Sequence, residues 1–192
     1  MNYDVFMAGF GGQGILLIGN LLAYAAILEG KNASFFPAYG PEKRGGSATC
    51  TVIVADGEIG SPVVGCPGNA LLLNQMAMDK YFTAVKPGGR VLINTSLMED
   101  RGYSRQDLEI LPMPANKLAM DVGDVRLVNM IMLGAFVEMS GIVRPATLKE
   151  ALDGILPERN KKFIPANMQA LDCGAAFAQK VDQHAVRRSG TP

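Results

Sequence analysis

The chain of 192 residues predicts an α/β fold. The expected architecture is a three-layer, Rossmann-like open sheet, mostly parallel with an antiparallel hairpin, followed by a helical C-terminal half. Three observations point there. Short apolar strands alternate with helix-length segments through the first half, and a glycine-rich turn joins the first strand to the first helix. From Ala115 onward the spacing of apolar residues is helical.

Tyr3–Ala8 is a short apolar strand bounded by Gly9, and 15–29 has helical length with Gly30 in the usual stop position. A second strand, 33–36, is expected to end at Pro37, with a loop over 38–46 before the Thr- and Val-rich strand 48–55. Asp56-Gly57 signals a hairpin that returns through Glu58 and Ile59 and stops before Ser61-Pro62. Buried strands follow at 70–73 and 90–94, separated by a helix over about 76–85 and the turn Lys86-Pro87-Gly88-Gly89. Ile110 and Leu111 form a weak strand before Pro112 and Pro114. Helices are expected over 115–120, 126–140, 146–156 and 165–181. The organisation is one domain over 1–182 with a polar tail, 183–192, that frays.

Lys and Arg number 18 and Asp and Glu 18, so the net charge is zero and neither nucleic acid nor a membrane surface is an expected partner. Cys50, Cys66 and Cys173 are far apart and lie near no His, which argues against a zinc site, an iron–sulfur cluster or a disulfide framework. Reduced thiols in a cytoplasmic protein are expected. No signal peptide or membrane-spanning segment is recognisable. Charged residues make up 19% of the chain, against a typical ~25%. The helix over 126–140 is apolar nearly all round, and that over 15–29 is apolar on two faces. Such helices are covered on more than one side, by later helices of the same chain or by a partner, and the low charge content favours a partner.

The strongest local motif is Gly9-Phe10-Gly11-Gly12-Gln13-Gly14, placed between strand and helix. Glycines let a phosphate approach the backbone amides, and the helix N-terminus adds partial positive charge. A tight turn without ligand is the competing reading. A nicotinamide site would also place an acidic residue at the end of the second strand, where this chain has Ala33-Ser34-Phe35-Phe36-Pro37. The second motif, Tyr39-Gly40-Pro41-Glu42-Lys43-Arg44-Gly45-Gly46, projects three charged side chains from a rigid loop at a strand end, where ligands of open α/β sheets bind. A solvated turn with an ion pair is its plainer explanation. Asn74-Gln75 and Asn94-Thr95-Ser96 could add polar groups to the same crevice, although helix capping is the commoner use of such residues. No nucleophile elbow, phosphate-binding Walker loop or metal-ligand pattern is present, and the single His184 lies in the tail. The catalytic residues expected in this chain are therefore none.

AGFGGQGI, FFPAYGPEKRGG and GSPVV, in this order, followed by VKPGGRVLIN and the helix around 129–134, closely resemble the gamma subunit of 2-oxoacid:ferredoxin oxidoreductases over about residues 3–180. The same unit is a fused domain of single-chain pyruvate:ferredoxin oxidoreductases. Tyr39 before Gly-Pro-Glu and the following Arg-Gly-Gly look most like the 2-oxoglutarate branch, with 2-oxoisovalerate, indolepyruvate or pyruvate as alternatives.

The resemblance implies oxidative decarboxylation of 2-oxoglutarate with coenzyme A to succinyl-CoA and CO₂, with electrons passing to ferredoxin or flavodoxin. It implies alpha, beta and ferredoxin-like delta subunits as partners, which hold thiamine diphosphate, Mg²⁺ and the iron–sulfur clusters. This chain would bind no cofactor tightly, cover the active site and help hold coenzyme A. The candidate binding residues are Gly9, Gly11, Gly12, Gln13, Gly14, Tyr39, Glu42, Lys43, Arg44, Gly45, Gly46 and Asn74. The amides of 11–14 and the charge of Lys43 and Arg44 would receive the phosphates or align a neighbouring subunit, and Gln13 could instead make a structural contact. The remaining alternatives are a free-standing dinucleotide-binding oxidoreductase and an assembly module without ligand.

Overall fold

The computed structural model describes residues 2–39, 46–99 and 105–189. Its elements are β1 (Asn2–Phe10), α1 (Ile15–Leu28), β2 (Asn32–Tyr39), β3 (Ser47–Ala55), β4 (Asn69–Leu72), α2 (Gln75–Tyr81), β5 (Arg90–Asn94), β6 (Glu109–Met113), α3 (Ala115–Val122), α4 (Val128–Ser140), α5 (Pro145–Ile155) and α6 (Ile164–Ser189). The strands form one sheet in the order β2-β3-β1-β4-β5-β6. β1, β4, β5 and β6 make a parallel block, and β3 runs antiparallel to both β1 and β2. The expected α/β class and helical C-terminal half are both present.

Alternation along the strands sends side chains to two unequal cores. Val5 and Met7 of β1, Val52 and Val54 of β3, and Leu71, Leu92 and Leu111 pack beneath α1, α3, α4, α5 and α6. The opposite face is covered more thinly: Ala8, Ala70, Leu72, Val91 and Ile93 meet Ala77 of α2 and Phe82 of the 3₁₀ turn after it. Phe6 and Tyr81 pair there with ring centroids 4.7 Å apart. The strand α2 follows and the strand α1 follows are therefore neighbours whose helices leave on opposite faces.

Several sequence expectations need correction. The antiparallel pair is β2–β3, with residues 40–46 between its strands, not a return at Asp56-Gly57. β3 is already paired on both sides, so a strand returning through Glu58 and Ile59 would have no free edge beside it. β2 runs through Pro37 to Tyr39 because it is an edge strand, where a missing N–H interrupts no second ladder. β6 contains Pro112 on the opposite edge for the same reason.

The burial of the apolar helix α4 is accounted for within the chain, whereas α1 leaves Ile27 and Leu28 exposed. α4 is enclosed by the sheet and by α6, with Met130 through Phe136 inaccessible, and α1 is held between the β2–β3 half of the sheet and α5. The α4–α6 crossing is close: a Cβ on Gly134 would fall on the Leu171 carbonyl, and one on Gly174 on the Ile131 carbonyl. α6 also continues to Ser189, past the expected end at 181 and into the stretch expected to fray.

Glu29, just past α1, ties that helix to α5. Its carboxylate accepts from the Arg144 backbone amide at 2.7 Å and meets Lys31 Nζ at 3.0 Å and Arg144 Nε at 3.2 Å. Burial alone would raise its pKa, but these bonds and one from Thr147 outweigh burial and hold it down to about 2.

Candidate functional site

β1 ends in Gly9 and Phe10, and the turn after it is closed from both ends. Gln13 N–H donates to the Phe10 carbonyl at 3.1 Å, while the Phe10 amide donates to Gln13 Oε1 at 2.6 Å. Gly12, third residue of this four-residue turn, has φ +97°, the left-handed backbone that glycine adopts without steric cost. Gly14 follows at φ +75° and occupies the N-cap of α1, which has no side-chain cap. The amides of Gly12, Gly14, Ile15 and Leu16 consequently donate to no acceptor among the described residues.

The next parallel strand, β4, ends beside this turn. Asn74 is 2% exposed; its Oδ1 accepts the Ala77 amide at 2.9 Å and so caps α2, and its Nδ2 donates to Gln13 Oε1 at 2.9 Å. Because α1 and α2 leave on opposite faces, the C-terminal ends of β1 and β4 diverge. That divergence is the switch point at which open α/β sheets bind ligands. Gln13 and Asn74 bridge it.

The structure brings Gly46, the last residue of the second motif, against the glycine turn. Gly11 N–H donates to the Gly46 carbonyl at 2.8 Å, and Tyr39 pairs with Ala48 at the same rim, its side chain 74% exposed. Gly46 thus lies against the glycine turn, with Tyr39 one strand further toward the sheet edge. Glu42, Lys43, Arg44 and Gly45 lie outside the described residues. Met76 and Leu97, which follow β4 and β5, are exposed at the same rim.

Asn94 and Ser96 serve the framework: Asn94 is fully buried, donates to the Leu73 carbonyl at 3.2 Å and to Asn116 Oδ1 at 2.8 Å, and accepts the Ser96 amide at 3.3 Å. Asn129 adjoins the glycine turn and was not among the candidates. It is 5% exposed at the start of α4, and its Nδ2 donates to the Gly14 carbonyl at 3.3 Å. The sequence signals for it were a polar residue at the start of a mostly apolar helix and that helix's part in the family resemblance.

Ser61-Pro62-Val63-Val64 lies away from the turn, since β3 delivers the chain to the opposite end of the parallel strands. A cleft of about 390 Å³ between β6, α4 and α6, lined in part by Arg90, Glu109, Glu138 and Asp182, also opens toward that end. Among the described residues no group of three or more His, Cys, Asp or Glu side chains is placed to hold a metal ion, and no helix is long and apolar enough to cross a membrane.

Residues 4–177 match the family described as pyruvate ferredoxin/flavodoxin oxidoreductase. The chain is similar to 2-oxoglutarate synthase subunit KorC of Methanocaldococcus jannaschii, 32% identical and covering 94% of this chain and 96% of that one. It is also similar to ketoisovalerate oxidoreductase subunit VorA of Methanothermobacter marburgensis, 35% identical over 92% of this chain, which spans about a third (36%) of that relative's length. Among solved structures, the gamma subunit of keto/oxoacid ferredoxin oxidoreductase from Geobacter sulfurreducens superposes with a TM-score of 0.81 at 31% identity, covering 94% of this chain and 98% of that one.

Proposed function

The chain belongs to the pyruvate ferredoxin/flavodoxin oxidoreductase family, as a gamma-type unit of its 2-oxoacid:ferredoxin oxidoreductases, and on that footing we propose that it serves the 2-oxoglutarate branch and helps hold coenzyme A. In this reading the complex decarboxylates 2-oxoglutarate oxidatively to succinyl-CoA and CO₂ and passes electrons to ferredoxin or flavodoxin. Thiamine diphosphate, Mg²⁺ and iron–sulfur clusters in alpha, beta and delta subunits supply the carbon chemistry and electron transfer. This chain's own part is to bind and to cover.

The observation that carries the reading is the bond from Gly11 of the glycine turn to Gly46, the last residue of the second motif, at the switch between β1 and β4. The unbonded amides of Gly12, Gly14, Ile15 and Leu16 lie at the N-terminus of α1, next to Gly11, whose N–H is bonded to the Gly46 carbonyl. Amides at a helix N-terminus favour phosphate oxygens, and Lys43 and Arg44 would add charge-assisted contacts, each typically worth ~1.5–3 kcal/mol. The exposed Tyr39, Met76 and Leu97 around that rim supply apolar surface for a partner subunit to cover.

The test is an Arg44→Ala variant in the assembled complex. The expected result is a raised KM for coenzyme A with the KM for 2-oxoglutarate little changed; unchanged coenzyme A kinetics refute the site. The similarity to VorA favours 3-methyl-2-oxobutanoate as a second substrate reading. Comparing kcat/KM for the two acids in the purified complex decides between them.

A further inference from the structure

We propose that Gln13 is a positioning residue that holds the glycine turn open across the β1–β4 crevice, and that it does not itself touch the ligand. Its Oε1 accepts two hydrogen bonds, from the Phe10 amide at 2.6 Å and from Asn74 Nδ2 at 2.9 Å. Those bonds occupy both lone pairs of the oxygen. Asn74 is in turn fixed by capping α2 and is almost completely buried, so the turn after β1 is anchored to the helix on the opposite face of the sheet.

Gly9 supports the same assignment. It is not among the glycines with positive φ, so backbone conformation does not require it. A Cβ at Gly9 would lie 2.6 Å from Gln13 Oε1 and 3.0 Å from Ile15 Cδ1. The first glycine of the motif therefore makes room for the folded-back Gln13 side chain, and the later glycines shape the turn. Two asparagine side chains anchor the turn from outside it: Asn74 through the Gln13 side chain on one side, and Asn129 on the Gly14 carbonyl on the other. The unbonded amides are thus presented in a fixed array before a ligand arrives, which lowers the ordering cost of binding.

Two substitutions separate positioning from contact. Gln13→Met keeps the length and removes the acceptor. Gln13→Glu keeps an acceptor for both bonds but removes the Nε2 donor, the part of the side chain that a direct ligand contact would use. In amide hydrogen exchange on the full chain without ligand, Gln13→Met is expected to speed exchange of the Phe10 amide about tenfold, the scale of one hydrogen bond. Gln13→Glu is expected to restore protection.

In the assembled complex, Gln13→Met is expected to raise the KM for coenzyme A more than it lowers kcat. This kinetic arm rests on the proposed coenzyme A site. Unchanged Phe10 exchange in Gln13→Met, or failure of Gln13→Glu to restore it, overturns the positioning role whatever the kinetics. Faster exchange with an unchanged coenzyme A KM leaves the brace standing and refutes the coenzyme A site instead.

Discussion

Replacing Gly14 with Ala tests the brace around the glycine turn on grounds independent of function. Gly14 sits at φ +75°, where an L-residue costs roughly 1–2 kcal/mol. Its new Cβ would fall on Asn129 Nδ2 and lie 3.1 Å from Asn129 Cγ. Asn129 is 5% exposed and cannot swing into solvent, so either its bond to the Gly14 carbonyl breaks or α4 moves. Overpacking of this kind typically adds ~1–3 kcal/mol, for a total of about 2–5 kcal/mol. For a chain of this size that lowers Tm by on the order of 10 °C.

The control is Gly12→Ala. It carries φ +97° but has nothing within 4 Å of its Cβ, so only the backbone cost of about 1–2 kcal/mol applies. The assay is urea unfolding of both variants and of Gly14→Ala combined with Asn129→Ala. The excess cost at Gly14 should shrink when the Asn129 side chain is absent, giving a coupling energy in the double-mutant cycle. Equal destabilisation at Gly12 and Gly14, or strict additivity with Asn129→Ala, would refute the contact between this turn and α4.

Two further outcomes follow from packing and charge. Gly174→Ala should destabilise by about 2 kcal/mol or more despite the ~1 kcal/mol gain in helix propensity, because its Cβ would overlap the Ile131 carbonyl and lie 2.9 Å from the Ala135 amide nitrogen, backbone that cannot rotate aside; a higher Tm for this variant contradicts the close α4–α6 crossing. Glu29, lowered from 4.5 to about 2, contributes stability that is fully present above pH 4.5 and is lost as pH falls toward 2. Glu29→Gln should therefore cost about 2 kcal/mol at pH 7, discounted because its partner Arg144 is largely exposed. That difference should shrink steadily below pH 4.5, and a pH-independent difference rules out the ionised carboxylate as its source.

Local chemistry made much of this fold readable. The strand–glycine–helix passage at 3–29 and the short apolar strands were visible because periodicity and turn residues act within a few positions. The end of β2 was not, because whether Pro37 terminates a strand depends on whether that strand lies at an edge, a property of the whole sheet. The hairpin expected at Asp56-Gly57 failed likewise: its turn chemistry was suitable, but β1 had already taken the edge it needed.

Around the glycine turn, the places of Gly11, Gly12 and Gly14 were legible from their pattern, and the helix-capping role of Asn74 from its place after a strand. Asn129 was not, since it reaches Gly14 from 115 positions away. The choice between central helix and partner-covered helix for α4 also lay beyond the sequence, because an all-round apolar helix presents the same residues to either covering.

The imino acids at the two sheet margins bear on the life of this polypeptide before assembly. A subunit synthesised ahead of its partners spends time alone at high local concentration, and an open strand offers any identical copy a ready template for growth. Here neither outermost strand presents an unbroken row of donors, because Pro37 interrupts one and Pro112 the other. Covalent structure thereby limits edge-to-edge pairing between copies of the chain.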